Sequence, residues 1–340
     1  MKCLLIVLSL WLVFSYQSYA DVRVDENTLM IFASLEEGKR LLTEQDEFID
    51  QMSPFDRGVR MKTARDVSKT EFLEFVGRNV LQWEDHEKKA LESALRQIIP
   101  GLGRLRVPDL GNVYLIKTTG AEEGNIAYTR GKAIVLPKSI LHAPKRELQR
   151  LLAHEIFHIL SRTISKLRNP LYEVIGFHYC GEIELPSALR ARKMTNPDAP
   201  KNEYCIRVHA GDEAVWVTPI LFSRTATYNK RRGGKFFDYL TFALMVVARA
   251  NESDPSKAII KNQQPKLLEI NEISGFFEQV GKNTRYIFHP EEILADNFAL
   301  LVLEDRNVQT PEILHKMKNV LAATSSLKPA VPADSANPRF

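Results

Sequence analysis

Apolar residues recur at helical spacing through much of the first hundred positions. Asn27 to Leu42 reads as one helix. Phe72, Phe75, Val76 and Val80 share one helical face, and Ser68 with Glu71 forms a capping box in front of them. Trp83 to Ile99 continues as a charged amphipathic helix. Between these runs, Ser53-Pro54-Phe55-Asp56-Arg57-Gly58 reads as a turn. All of this looks like scaffold, and nothing in it demands chemistry.

The pattern changes after residue 100. Gly101-Leu102-Gly103 lacks the third glycine of a dinucleotide-binding loop and reads as a turn. Val113 to Thr118 reads as a strand. Asn125 to Arg130 and Lys132 to Leu136 read as two strands joined tightly at Gly131. Pro144 opens a strongly amphipathic helix that runs to about Ser165. Ile206 to Val208 and Ala214 to Leu221 look like strands, and Phe236 to Ala250 looks like a buried helix. Residues 251 to 268 are polar with two prolines and read as a surface loop. Pro290 opens a last major helix ending near Asp305, and the Ala-, Ser- and Pro-rich chain beyond Ala322 reads as a flexible tail. The expected fold class is α+β, with a small sheet packed on the 144–165 helix and a mainly helical remainder.

Composition adds bounds. The chain has 340 residues, 44% hydrophobic and 26% charged, which suits a globular core and not disorder. Its first twenty residues stand apart: Met1-Lys2, an apolar run from Cys3 to Phe14, then small residues at Ser18 and Ala20. That pattern reads as a secretory signal peptide, since the apolar run is shorter than the roughly 20 residues a membrane span needs. The expected organisation is a signal at 1–20, a region at 21–165, a second region at 166–322 and a tail at 323–340. The expected location is exported, periplasmic or extracellular. Without Lys2, 45 basic residues against 42 acidic leave +3, too weak a balance to imply nucleic acid as a partner. The remaining cysteines, Cys180 and Cys205, form an even pair that export favours as a disulfide; two unpaired thiols are the alternative. A bridge would close the loop carrying Asn196-Pro197-Asp198-Ala199-Pro200.

The chemistry concentrates in His154-Glu155-Ile156-Phe157-His158, an H-E-x-x-H sequence. On a helix, residues i and i+4 lie on one face a turn apart, so the two imidazoles can bind one zinc ion. Glu155 sits beside them as a candidate general base. Catalytic zinc takes three protein ligands and keeps one position open. Ser161 and Ile164 stand where a metzincin would place a glycine and a third histidine. His178 and His209 are alternative third ligands. The segment from His289 to Phe298 begins a helix and holds Glu292 and Asp296 at i, i+4.

These two helices resemble the gluzincin group of zinc metallopeptidases, which pair H-E-x-x-H with E-x-x-x-D. More loosely, the whole chain resembles a group of secreted bacterial proteins. The gluzincin resemblance implies a zincin-like fold, Zn2+ as cofactor, and peptide or protein as substrate. It implies Glu292 as third ligand, Asp296 as the group orienting His154, and Tyr286 or His289 as donor to the tetrahedral intermediate. It also implies that an edge strand pairs with extended substrate, and Lys132 to Leu136 is the strand expected to do so. The alternatives are an exported zinc-binding protein without catalysis, or a zinc hydrolase of a non-peptide amide or ester.

Overall fold

The computed structural model describes residues 21–248, 256–261 and 264–324. The expected signal at 1–20 and the expected tail beyond Thr324 lie outside the described residues.

β1 (Val22–Arg23) and β2 (Leu29–Phe32) precede four helices: α1 (Leu35–Thr43), α2 (Glu47–Gln51), α3 (Pro54–Arg60) and α4 (Lys69–Asn79). β3 (Val80–Leu81), α5 (Asp85–Arg104), β4 (Asn112–Thr118), β5 (Tyr128–Arg130), β6 (Ala133–Pro137) and α6 (Lys145–Thr163) follow. The strands form one mixed sheet in the order β1-β2-β4-β6-β5, with β3 against β4. Side chains alternate across it. Val113, Leu115, Ile134 and Leu136 pack with α5 and α6, while Ile116, Ala133 and Val135 pack with Leu42, Phe72 and Val76 on the other face.

α7 (Ser165–Val174) leads into a second sheet. Its strands are β7 (Phe177–Tyr179), then, past α8 (Ser187–Arg190), β8 (Tyr204–Ala210), β9 (Glu213–Ser223), β10 (Leu240–Ala248) and β11 (Lys257–Ala258). β12 (Ile260–Lys261) and β13 (Gln264–Pro265) pair separately, and β14 (Leu267–Leu268) adds to β10. α9 (Phe276–Val280), α10 (Pro290–Val302) and α11 (Pro311–Thr324) complete the described chain. One apolar core crosses residue 165, joining Leu95 and Phe157 to Phe177, Val217 and Phe298. Cys180 and Cys205 are bridged across a separation of 25 residues, closing the loop that contains α8. Among the described residues no helix is long and apolar enough to cross a membrane.

Over the described residues the fold is thus mixed α+β, with two six-stranded sheets and a separate two-stranded ribbon, and several sequence expectations need correction. The remainder after residue 165 is not mainly helical, because the second sheet lies there. Phe236 to Ala250 is not a helix: Phe236–Tyr239 is a single 3-10 turn, and Leu240 to Val247 pair antiparallel with β9. Ala243 to Val247 are all buried, so this stretch carries no polar alternation to distinguish strand from helix. Residues 249 and 250 lie outside the described residues. The described parts of the expected 251–268 loop form short strands. Asn27 to Leu42 is also divided: Leu29–Phe32 pairs in parallel with β4, and Ser34 caps a helix beginning only at Leu35. Ser53 caps α3 with Pro54 in its first turn, so the expected turn is a helix. Gly101 and Gly103 lie inside α5, not in a turn. A Cβ on Gly101 would stand 2.2 Å from the Val302 carbonyl oxygen, so glycine permits α5 to approach the end of α10. α10 is not the last helix, since α11 follows it through Thr324. Finally, β6 lies between β4 and β5, so the free edge belongs to β5 and not to Lys132–Leu136.

Candidate metal centre

α6 and α10 pack against each other and bring six functional side chains together. His154 Nε2 lies 3.1 Å from Glu292 Oε2. His158 Nε2 lies 3.7 Å from the same oxygen. Tetrahedral zinc, with bonds of about 2.0–2.1 Å, spaces its donor atoms about 3.3 Å apart. The remaining ring nitrogens are also tied: His154 Nδ1 to Asp296 Oδ1 at 3.2 Å, and His158 Nδ1 to Glu291 Oε1 at 3.1 Å. With a cation in place of the Nε2 protons, each Nδ1–H would donate to its carboxylate and each Nε2 would present its lone pair to the ion. Glu291 also accepts from Ser161 Oγ at 2.9 Å and from the Tyr172 hydroxyl.

Two buried atoms here lack a hydrogen-bond partner, His158 Nε2 and Glu155 Oε2. An orphaned imidazole nitrogen beside a carboxylate and a second imidazole is a donor set that fits a divalent cation. The electrostatics agree with that fit. Burial alone would depress the pKa of both histidines. For His154 the hydrogen bonds to Asp296 and Glu292 outweigh it and hold the pKa well above the ordinary range. For His158 the charges of Asp198 and Glu292 outweigh burial and raise it to about 9. Glu292 is lowered despite its burial, by the two histidines. Glu155 is raised, first by burial and then by Asp198. The cluster is rich in negative charge and suited to a bound cation.

A loop from the second region lies over this cluster. Asn196 Nδ2 donates to Glu292 Oε1 at 2.6 Å. Asp198 stands with Glu155 and His158 in a second close grouping, its Oδ1 accepting from Thr129 N at 2.7 Å and Thr129 Oγ1 at 2.5 Å. The N-terminal helices hold the loop in place. Ser53 Oγ donates to Lys193 O, Thr195 N donates to Asp56 Oδ2, and Arg60 Nη2 donates to Thr195 O. Arg60 also forks onto Glu123 at 2.6 and 2.8 Å, pairs with Asp56, and lies 4.2 Å from the Phe236 ring centroid. Elements that read as scaffold therefore position the site.

In front of the cluster is a cavity of about 340 Å³, bounded by His154, Glu155, Asn196 and Glu292 and by largely apolar walls. Tyr286 lines it. The Glu292 charge, with burial adding to it, holds the Tyr286 pKa well above the ordinary range, so the phenol keeps its proton and can donate. His289 does not border this cavity; its Nδ1 accepts from Glu291 N as the N-cap of α10. His178 packs edge-on against Trp216, and His209 bridges to Ser274. Neither rival joins the metal-ligand grouping among the described residues.

The chain matches no protein-family model, no curated protein and no solved structure.

Sequence reasoning missed Glu291, Asn196, Asp198 and Thr129 as members of the site. Glu291 has the marks of a helix-dipole residue, which hides its bond to His158. Asn196 and Asp198 had one faint signal, their place in the loop that a disulfide would close.

Two measurements test these contacts. Asp296→Ala should weaken zinc affinity about 10–100-fold in chelator competition; unchanged affinity would mean that His154 needs no carboxylate behind it. Lys193 is buried, with Nζ donating to Pro200 O at 2.5 Å, and burial lowers its pKa to about 8. Because its folded pKa lies below the unfolded value, the cost of burying its charge is full below pH 8 and disappears as pH rises toward 10.5. Urea titrations should show wild type gaining roughly 3 kcal/mol on Lys193→Met across that window. Parallel pH profiles would contradict the assignment.

Proposed function

We propose that this protein is an exported zinc-dependent peptidase of the gluzincin type with a zincin-like arrangement of sheet and helices. The observation that carries the reading is the convergence of His154 Nε2, His158 Nε2 and Glu292 Oε2, with both Nδ1 atoms anchored to carboxylates and Glu155 alongside. The first sheet packed on α6, and α10 packed beside it, support the zincin comparison.

His154, His158 and Glu292 would hold the zinc ion, which would supply Lewis acidity to a scissile carbonyl and to water. The chain's own groups do the rest. Glu155 takes the proton of the attacking water and delivers it to the leaving amine. Burial and the neighbouring Asp198 raise its proton affinity, and a cation held by His154, His158 and Glu292 would lower it again, leaving the carboxylate ionised to accept a proton at neutral pH. The Tyr286 hydroxyl donates to the oxygen on which charge develops. Asp296 and Glu291 fix the two rings, and Asn196 fixes the Glu292 carboxylate. The apolar walls lower the polarity of the surroundings in which the reacting groups meet.

Glu155 has no ligand duty in this scheme, so its burial with a free oxygen favours catalysis over a purely structural metal site. Incubation of zinc-loaded protein with a mixed peptide library, with and without a chelator, tests the reading. Chelator-sensitive cleavage is expected. Loss of folding on chelation without any cleavage would support the structural reading.

A further inference from the structure

Zincin-type sites are expected to bind an extended substrate along a sheet edge, as an added strand. In this protein much of that edge is already taken. β5 is the edge strand, and Thr129 stands opposite Ile134 of β6. Its N–H points away from β6 and donates to Asp198 Oδ1. A substrate carbonyl would otherwise fill that place. Farther along, Arg130 is fastened to Asp46 and to the carbonyls of Leu42 and Glu44, which brings the α1–α2 connection against the end of the strand. In an antiparallel strand the peptide groups face outward at every second residue. The next outward position is Ala127, which borders the cavity. An added strand can therefore pair near Ala127 but not continue past Thr129.

The obstruction is built firmly. Met194, Thr195, Pro197 and Asp198 are buried, and the loop is fixed by the bonds from Ser53, Asp56 and Arg60. The disulfide between Cys180 and Cys205 closes the same segment. Exposed residues border the cavity elsewhere: Ile126 and Phe237 are apolar, and Glu147 and Arg150 are charged. The walls between are apolar, including Leu151, Met194, Leu221, Phe236, Leu240 and Phe288. A volume of about 340 Å³ is at the small end of ligand sites, which span roughly 300–1,000 Å³. That volume matches one large side chain with its adjoining backbone.

We propose, on the basis of the peptidase reading, that this site takes the end of a peptide chain with a bulky apolar side chain seated in the cavity, and not the middle of an extended polypeptide. The Asp198 loop sets this limit by occupying the strand edge, and the cavity walls set the preference for apolar groups.

The test uses zinc-loaded full-length protein and one parent peptide of five residues containing a single phenylalanine. The parent is extended by six residues at its N-terminal end, its C-terminal end, or both, and a further version carries alanine for phenylalanine. Extension at one end should change kcat/KM less than about 3-fold. Extension at the other end, or at both, should lower it at least 10-fold, as should the alanine version. Leu240→Trp, which fills the cavity from its wall, should lose at least 10-fold on the parent while keeping its zinc. Equal or faster cleavage of the doubly extended peptide would overturn the proposal and leave the peptidase reading intact. Absence of chelator-sensitive cleavage across the whole set would remove both.

Discussion

Glu155→Gln is expected to keep its zinc and to lose peptide hydrolysis by about 10²–10⁴-fold. The side chain is 2% exposed and its Oε2 has no hydrogen-bond partner, so the amide fits the same space without breaking a bond at that atom. The three proposed ligand atoms belong to other residues, so metal content should not change. What the amide cannot do is accept a proton from water and return it to the leaving amine. Steady-state kinetics beside metal analysis separates the two effects. A variant with full activity would remove Glu155 from the mechanism, and one that loses its zinc would make Glu155 part of metal retention.

The second large effect lies away from the metal. Arg60→Met should destabilise the protein by about 3–5 kcal/mol in urea titration, because it strands two carboxylates in the interior. Arg60 and Asp56 have fully buried side chains, and Glu123 is nearly so. Removing the guanidinium leaves Asp56 and Glu123 without their cation and deletes the bond to Thr195 O. That bond holds the segment leading to Asn196 and Asp198, so zinc affinity should fall in the same variant. Arg96→Met is the control. Arg96 is 60% exposed and pairs with Glu92 one turn away, an arrangement worth about 0.3–0.5 kcal/mol. Similar losses in the two variants would mean that the buried cluster does not support the loop.

How far the site was legible follows from where its parts lie in the chain. His154, Glu155 and His158 lie within five residues on one helix, and spacing alone places both imidazoles on one face; the expected amphipathicity fails there, since residues 155 to 161 are buried all round. Glu292 and Asp296 needed a resemblance, because nothing local says that α10 lies beside α6. The contact of Asn196 with Glu292 spans 96 residues of sequence and depends on how α3 captures Thr195. Such long-range anchoring by side chains and loop backbone leaves no periodic trace. The fold shows the same division. Ser68 did start a helix, its side chain accepting Glu71 N–H, because a cap is a local bond; the other half of the expected capping box does not form, since the Glu71 carboxylate pairs with Arg65. β10 was mistaken for a helix because burial in the middle of a sheet erases the alternation that marks a strand. Leu29–Phe32 was absorbed into a helix because its partner strand, β4, lies some eighty residues away.

The central claim is that two imidazoles of α6 and one carboxylate of α10 hold a single zinc ion. X-ray absorption at the zinc edge on purified protein tests it most directly. The expected result is one zinc per chain with two imidazole nitrogens and carboxylate oxygen at about 2.0–2.1 Å, and loss of that oxygen shell or of the metal in Glu292→Ala. Protein that takes up no zinc, or a Glu292→Ala variant with an unaltered zinc environment, would contradict the account.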